Sequence, residues 1–123
     1  MKSFVANNRK DGNKKAFRVI KNQILRKPGS LIGLAVGKTT DGLYKLISKD
    51  AKINSKKWQK LKLFQIDEKL GLSPGSKASF NYEIRKELKS LFKIVKKENV
   101  FLIDGTKNPK KTIQEGYRFI KKK

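Results

Sequence analysis

The chain has 123 residues and 37% hydrophobic residues, which suits one domain with a modest core. It has no Cys and no His, which excludes disulfides, thiolate or imidazole metal sites, cysteine nucleophiles and imidazole proton shuttles. Its net charge is +22, with only five Arg among 32 basic residues, so we expect non-specific attraction to polyanions rather than Arg-based readout.

Hydrophobic spacing predicts helices that alternate with strands along the whole chain. In chain order we predict a helix over 11–27, a strand over 31–36, a helix with Thr39 or Thr40 as N-cap that ends near Ser48, a strand over 61–66, a helix capped by Ser79 that continues to about Val95, a strand over 100–103 and a helix from Pro109 to Ile120. This alternation predicts a parallel α/β sheet with right-handed crossovers and helices on both of its faces.

The strand over 31–36, Leu-Ile-Gly-Leu-Ala-Val, has no polar alternation. Such a continuous apolar run is typical of a parallel strand that is buried on both faces. With only three predicted strands, the chain resembles part of a larger sheet. No apolar run reaches the ~20 residues of a membrane helix, and the N-terminus lacks the apolar core of a secretory signal. We therefore expect a soluble, cytoplasmic protein without a membrane partner.

The turn after the first strand is a candidate phosphate site, because ligands of open α/β sheets bind beyond the carboxyl ends of the strands. Gly37 allows close approach of a ligand to the backbone, and the start of the next helix offers N–H groups and a positive dipole end. Lys38 adds charge, and Thr39 and Thr40 add hydroxyl donors. Together these residues suit a monophosphate, but the spacing alone favours an ordinary turn between a strand and a helix, and it is not that of a Walker motif.

The second candidate position is Asp67-Glu68, at the end of the second strand. A carboxylate beside a phosphate site can act as a general base. The alternative is a solvated pair or a cap on the following turn.

Four segments together resemble the family of glucosamine-6-phosphate deaminases/isomerases and 6-phosphogluconolactonases. Residues 33–44 resemble its phosphate loop, Gly-Leu-x-Thr-Gly-Ser-(Ser/Thr)-Pro-x-x-x-Tyr, and residues 64–68 its Phe-x-x-Asp-Glu strand end. Residues 79–81 resemble the Ser-(Tyr/Asn) that opens the next helix, and residues 98–105 the strand that ends in Asp-Gly. The resemblance covers roughly residues 12–120.

The resemblance implies a Rossmann-like fold and a sugar-phosphate substrate, with neither a cofactor nor a metal. It implies that Gly37, Lys38, Thr39 and Thr40 bind the phosphate. In the deaminases the Asp of the Asp-Glu pair moves a proton between C1 and C2, so Asp67 is the implied base and Glu68 the second catalytic candidate. In the lactonases the same pair lines the site, and a His elsewhere is the usual candidate for activating water.

Departures from the family pattern leave the subfamily open. Val36 replaces Thr, Lys38 a small Ser, and Thr40 Pro, while Lys69 stands where deaminases tend to have Tyr and lactonases Arg. Family members are roughly twice as long, and their second half supplies an Asp-Gly-His segment and further basic ligands. The resemblance is therefore to the N-terminal half only.

We expect residues 1–123 to form a single, partial sugar-phosphate-binding domain that resembles the deaminases and is inactive alone. A second polypeptide or a homo-oligomer that completes the sheet is then the expected partner. One alternative is a 6-phosphogluconolactonase-like domain, and another is a non-catalytic basic module that binds RNA non-specifically. A truncated gene product without independent function is the last alternative.

Overall fold

A computed structural model describes residues 8–121, apart from the side chains of Lys38 and Thr39. The elements are α1 (Arg9–Arg26), β1 (Leu31–Leu34), α2 (Lys38–Ile53), α3 (Ser55–Trp58), β2 (Lys62–Gln65), α4 (Phe80–Glu87), α5 (Lys89–Ile94), a 3₁₀ turn (Lys97–Asn99), β3 (Val100–Phe101) and α6 (Pro109–Lys121). The strands form one parallel sheet in the order β1-β2-β3. The predicted α/β class and Rossmann-like parallel sheet are confirmed. No helix within residues 8–121 is long and apolar enough to cross a bilayer.

Local sequence signals set several of the helix starts. The Asn8 side chain caps α1 by accepting a hydrogen bond from the Asp11 N–H. Ser79 caps α4 by accepting one from the Tyr82 N–H, as predicted. The Asn108 side chain accepts from the N–H of Lys110, directly ahead of Pro109 at the first helical position of α6.

Three predicted boundaries are wrong. Helix α2 continues to Ile53, five residues past the predicted end, because its Asp50 carboxylate accepts hydrogen bonds from Trp58 Nε1 at 2.8 Å and Asn54 Nδ2 at 2.9 Å. Those contacts stabilise the helix beyond Ser48, in a polar stretch that has no clear hydrophobic periodicity. The predicted helix after Ser79 is divided at Leu88, which leaves helical geometry while its side chain is fully buried. The third strand pairs over two residues only.

The inner face of the sheet carries the hydrophobic core. Leu34 of β1 and Leu63 of β2 point to this face and are buried against helices α1 to α5. Trp58 is the largest fully buried side chain of this core, and its ring is stacked on that of Phe17 at 6.3 Å between centroids. The helical residues of this core are Ile24, Tyr44, Ile47, Ala51, Ile84 and Leu91, and Leu88 joins them from the junction of α4 and α5.

The outer face of the sheet is only partly covered. It carries Leu31 and Gly33 of β1 beside Phe64 of β2 and Phe101 of β3, as the register requires. Helix α6 packs over the β3 side, where the ring of Phe119 lies 5.8 Å from that of Phe101. Leu31 and Gly33 remain exposed. The prediction that β1 is buried on both faces is therefore wrong for its outer face among residues 8–121, because α6 lies over the opposite edge.

Candidate functional site

The parallel register brings the two candidate segments to one edge of the sheet. Leu34 of β1 pairs with Gln65 of β2, and the Ile66 N–H donates to the Leu34 carbonyl at 3.1 Å. Both strands then end at the carboxyl end of the sheet. The turn that contains Gly37 and the Asp67-Glu68 pair therefore share this edge, as the sequence predicted.

The strand end before the turn is fixed by Tyr44 of α2. Its hydroxyl donates to the Ala35 carbonyl at 2.5 Å and accepts from the Ala35 N–H at 3.0 Å. Burial raises the pKa of the Tyr44 phenol, and this effect outweighs the opposite effect of the hydrogen bond that the Ala35 N–H donates to the phenol oxygen. The phenol therefore stays protonated and ties the entrance of the turn to the core.

The turn itself leads directly into α2. Gly37 is the N-cap residue, so the prediction of Thr39 or Thr40 as N-cap is wrong. The φ of Gly37 is 160°, an extended conformation that any residue can adopt. The Thr40 N–H and hydroxyl both donate to the Gly37 carbonyl, at 3.1 and 2.9 Å. The Thr40 hydroxyl proton is thus used within the turn. The predicted side-chain roles of Lys38 and Thr39 lie outside the described part of the chain.

The two neighbouring carboxylates have different surroundings. Asp67 is exposed, and no described residue donates a hydrogen bond to its carboxylate. Glu68 accepts from the backbone N–H groups of Phe80 at 2.8 Å, Asn81 at 2.9 Å and Lys69 at 2.9 Å. Partial burial acts to raise the pKa of Glu68, but these donors, with the Gln65 amide, outweigh it and lower the pKa. Glu68 thus caps the start of α4, whereas Asp67 faces solvent.

Two buried amide side chains join the strand ends behind these carboxylates. Gln65 accepts from the Ile103 N–H at 2.9 Å and donates to the Asp67 carbonyl at 2.8 Å. Asn81 donates to the Ile103 carbonyl at 2.8 Å. Gln65 is not among the site residues predicted from the sequence. The available signal was a lone polar residue at an inward position of an apolar strand, where a buried amide needs partners.

A cavity of about 120 Å³ lies beside Glu68, between the ends of β2 and β3 and the start of α6. Its lining includes Asp104, whose carboxylate accepts from the N–H of Thr106 at 2.9 Å and its hydroxyl at 2.6 Å. The Thr106 hydroxyl and N–H lower the pKa of Asp104. On the β2 and β3 side the cavity is thus lined by two carboxylates, Glu68 and Asp104, and by Lys107.

A second acidic group lies beside the turn. Carboxylate oxygens of Asp41 in the first turn of α2 and of Glu83 and Glu87 on α4 lie within 4.8 Å of one another. Burial, then the hydrogen bond and charge of Asp41 and the charge of Glu83, raise the pKa of Glu87 to about 7, against a smaller opposing effect of Lys86. These three carboxylates are not among the site residues predicted from the sequence. Its signal was the i, i+4 acidic pair on α4, since like charges at that spacing repel.

No family model matches the chain. Among curated proteins, it is 34% identical over 105 residues to the glucosamine-6-phosphate deaminase of Thermoanaerobacter sp. (strain X514), covering 85% of this chain and 41% of that protein. It is 33% identical over 107 residues to the glucosamine-6-phosphate deaminase of Clostridium botulinum (strain Kyoto / Type A2), covering 85% and 43%.

Solved structures share the fold. A monomeric glucosamine-6-phosphate deaminase matches with a TM-score of 0.82 and 20% identity, over 98% of this chain and 50% of that one. A 6-phosphogluconolactonase from Trypanosoma brucei matches with a TM-score of 0.65 and 18% identity, over 93% and 47%. The chain spans about half the length of the relatives that it matches.

Proposed function

Because this chain belongs to the family of glucosamine-6-phosphate deaminases and 6-phosphogluconolactonases, we propose that it is a single, partial sugar-phosphate-binding domain. The observation that carries the proposal is the meeting of the Gly37 turn and the exposed Asp67 at the carboxyl edge of the sheet. This is the edge at which open α/β sheets bind their ligands.

In this proposal the turn at Gly37, Lys38, Thr39 and Thr40 binds the phosphate. Helix α2 begins here, so its first N–H groups and its dipole favour an anion. Asp41 in the same first turn opposes a phosphate by its charge. The raised pKa of Glu87 limits that effect, because a protonated Glu87 adds no second negative charge beside Asp41 below about pH 7.

Asp67 is the proposed base, and Glu68 a positioning residue. Proton transfer next to a carbonyl requires a free carboxylate held near the carbon acid. The Asp67 side chain is exposed and without hydrogen bonds from the described residues, which supports this role. The Glu68 carboxylate is occupied by three backbone donors, which supports positioning instead. The curated relatives are deaminases, which favours deaminase over lactonase chemistry.

We further propose that the 123 residues alone are inactive. They contain no His, and groups that act as one catalytic unit retain little rate when part of the unit is missing. A second polypeptide or a homo-oligomer then completes the site. A cytoplasmic location is part of the same proposal, because a charged sugar phosphate does not cross a bilayer unaided.

Thermal unfolding of the purified chain tests the binding proposal. We expect millimolar glucosamine 6-phosphate to raise the Tm more than inorganic phosphate does, because only the sugar reaches the Asp67 side of the edge. Lys38→Ala should weaken binding about tenfold by removing a charged donor. Asp67→Asn should leave affinity unchanged or slightly improved, since it removes a negative charge. Equal shifts with sugar phosphate and phosphate contradict the proposal.

Two further ligands in the same thermal-unfolding measurement distinguish the alternative functions. A larger shift with 6-phosphogluconate than with glucosamine 6-phosphate favours the lactonase-like domain. The net charge of +22 supports a second candidate function, non-specific RNA binding. A shift with tRNA alone, lost as salt is raised, selects that candidate.

A further inference from the structure

The connections that lead into the three strands are strongly basic, and we call them together the amino edge. They are residues 27–30, 54–61 and 95–99. They contain six lysines and one acidic residue, Glu98. All six lysines are exposed: Lys27, Lys56, Lys57, Lys60, Lys96 and Lys97. One end of the sheet therefore presents ammonium groups to solvent from every connection that enters it.

The connections at the other end of the sheet are neutral. Residues 35–37, 66–79 and 102–108 lead away from the strands and contain three lysines and three acidic residues. The acidic residues are Asp67, Glu68 and Asp104, at the carboxyl edge. The uneven charge makes the amino edge the more attractive of the two ends for a polyanion.

The sheet register joins the three basic connections into one row. The Lys62 N–H donates to the Ser30 carbonyl at 3.0 Å, which ties the first connection to the second. Leu63 pairs with Val100, which places the second connection beside the third. Three strands span about 10 Å, close to one Debye length at 0.1 M salt, so the fields of these ammonium groups add.

A polar cavity of about 300 Å³ lies within this row, lined by Gln59, Lys60, Ile94, Lys96, Glu98 and Asn99. The three connections contain no Arg, the residue best suited to bidentate recognition. Their one aromatic residue, Trp58, is buried, so it offers no ring on which a base could stack. Lysine ammonium groups contact phosphate oxygens without reading the bases. The amino edge thus suits a chain of phosphates whatever bases it carries.

We infer that the amino edge binds the phosphodiester backbone of a nucleic acid without sequence preference. A polynucleotide carries a phosphate on every nucleotide and can follow the row into its cavity, which a flat anionic bilayer cannot enter. Binding here does not depend on sugar-phosphate binding at the carboxyl edge. It gives the second candidate function, RNA binding, a defined surface.

Two charge-matched variants of the full chain test the inference. The amino-edge variant carries Lys60→Gln, Lys96→Gln and Lys97→Gln. The control variant carries Lys14→Gln, Lys110→Gln and Lys111→Gln, at lysines that are also exposed. Each variant removes three charges from a net charge of +22, so the overall field falls equally. Both variants should keep the melting temperature of the parent chain, because surface substitutions of this kind change stability little.

Fluorescence anisotropy measures binding to a labelled oligouridine of about 20 nucleotides at about 50 mM salt. We expect the amino-edge variant to bind about tenfold more weakly than the parent, and the control less than about twofold more weakly. The slope of log K against log salt should fall by about 2 for the amino-edge variant, since each phosphate contact on a single strand contributes about 0.7. Equal weakening by both variants overturns the inference, because overall charge then accounts for the binding.

Other anions identify the source of the phosphates. A DNA duplex that binds more tightly than the oligouridine, with the same sensitivity to the amino-edge variant, supports the inference with DNA as the partner. Polyglutamate that competes as well as the oligouridine overturns it in favour of an acidic polypeptide. Binding to phosphatidylserine vesicles without binding to RNA or DNA overturns it in favour of a membrane surface. A Tm shift with glucosamine 6-phosphate that the amino-edge variant retains separates these results from failure of the proposed function.

Discussion

The inner and outer faces of the sheet differ in their cover, although both carry apolar residues. On the inner face, Leu34 and Leu63 are buried by helices α1 to α5. On the outer face, Leu31 and Ile66 are exposed, and α6 is the one helix of residues 8–121 that packs over it, on the β3 side. A strand sequence specifies which side chains favour burial. It does not specify whether other elements within residues 8–121 pack over those side chains.

The largest effect is expected at the centre of the inner face. Trp58→Ala should lower the free energy of unfolding by about 3–5 kcal/mol, because it leaves a cavity under the helices. Trp58→Phe, which mainly removes the hydrogen bond to Asp50, should cost about 1–2 kcal/mol. Urea denaturation measures both. If Trp58→Ala lowers the free energy of unfolding no more than Ile113→Ala does at an exposed residue of α6, the contrast between the faces is wrong.

A smaller effect is expected at the carboxyl edge. Glu68→Ala should destabilise the chain by about 1–2 kcal/mol, because it removes the acceptor for the Phe80 and Asn81 N–H groups and leaves Ser79 as the cap of α4. The lowered pKa of Glu68 means that its contribution is present above its unfolded pKa and is lost as the pH falls through the folded value. The difference between parent and variant should therefore shrink in acid. Asp67→Asn, at the exposed neighbour, should change stability by less than about 0.5 kcal/mol.

The junction of α2 and α4 has the opposite pH dependence. The pKa of Glu87 is raised to about 7, so its protonated form favours the fold below its unfolded value, and this advantage is lost as the pH rises through 7. Glu87→Gln should therefore raise the Tm at pH 8 by about 3–5 °C and have little effect at pH 5. Exposed Glu98→Gln is the control. A stabilisation by Glu87→Gln of equal size at both pH values contradicts this assignment.

The smallest effect on stability is expected at the exposed apolar residues of α6, Ile113 and Tyr117. Ile113→Ala and Tyr117→Lys should each change the free energy of unfolding of the chain by less than about 0.5 kcal/mol, because both side chains are largely exposed. Binding of a hydrophobic dye should fall with Tyr117→Lys and stay unchanged with Ile53→Lys. Strong destabilisation by Tyr117→Lys would indicate that other residues of the chain already pack over Tyr117.

The alternation of three strands with helices, the parallel pairing and the Ser79 cap were predictable, because periodicity and capping depend on residues within a few positions of one another. Helix α3 was not predicted, because Ser55–Trp58 is too short to show a helical period. The length of α2 was not predictable either. It depends on Asp50 meeting Trp58, eight residues away, and the ammonium group of Lys21, 29 residues away, at 3.5 Å. No local pattern reports such a contact.

The sequence by itself determined that a glycine turn and an Asp-Glu pair end neighbouring strands, because strand ends follow from local hydrophobic pattern. Only the tertiary structure decided that Glu68 accepts hydrogen bonds from the start of α4 while Asp67 is exposed, since the backbone donors of α4 lie 12 and 13 residues further on. It also decided that the Glu87 carboxylate lies near that of Asp41 and that Leu31 and Ile66 are exposed on the outer face. These features depend on which distant residues come into contact, and chain spacing alone does not fix that.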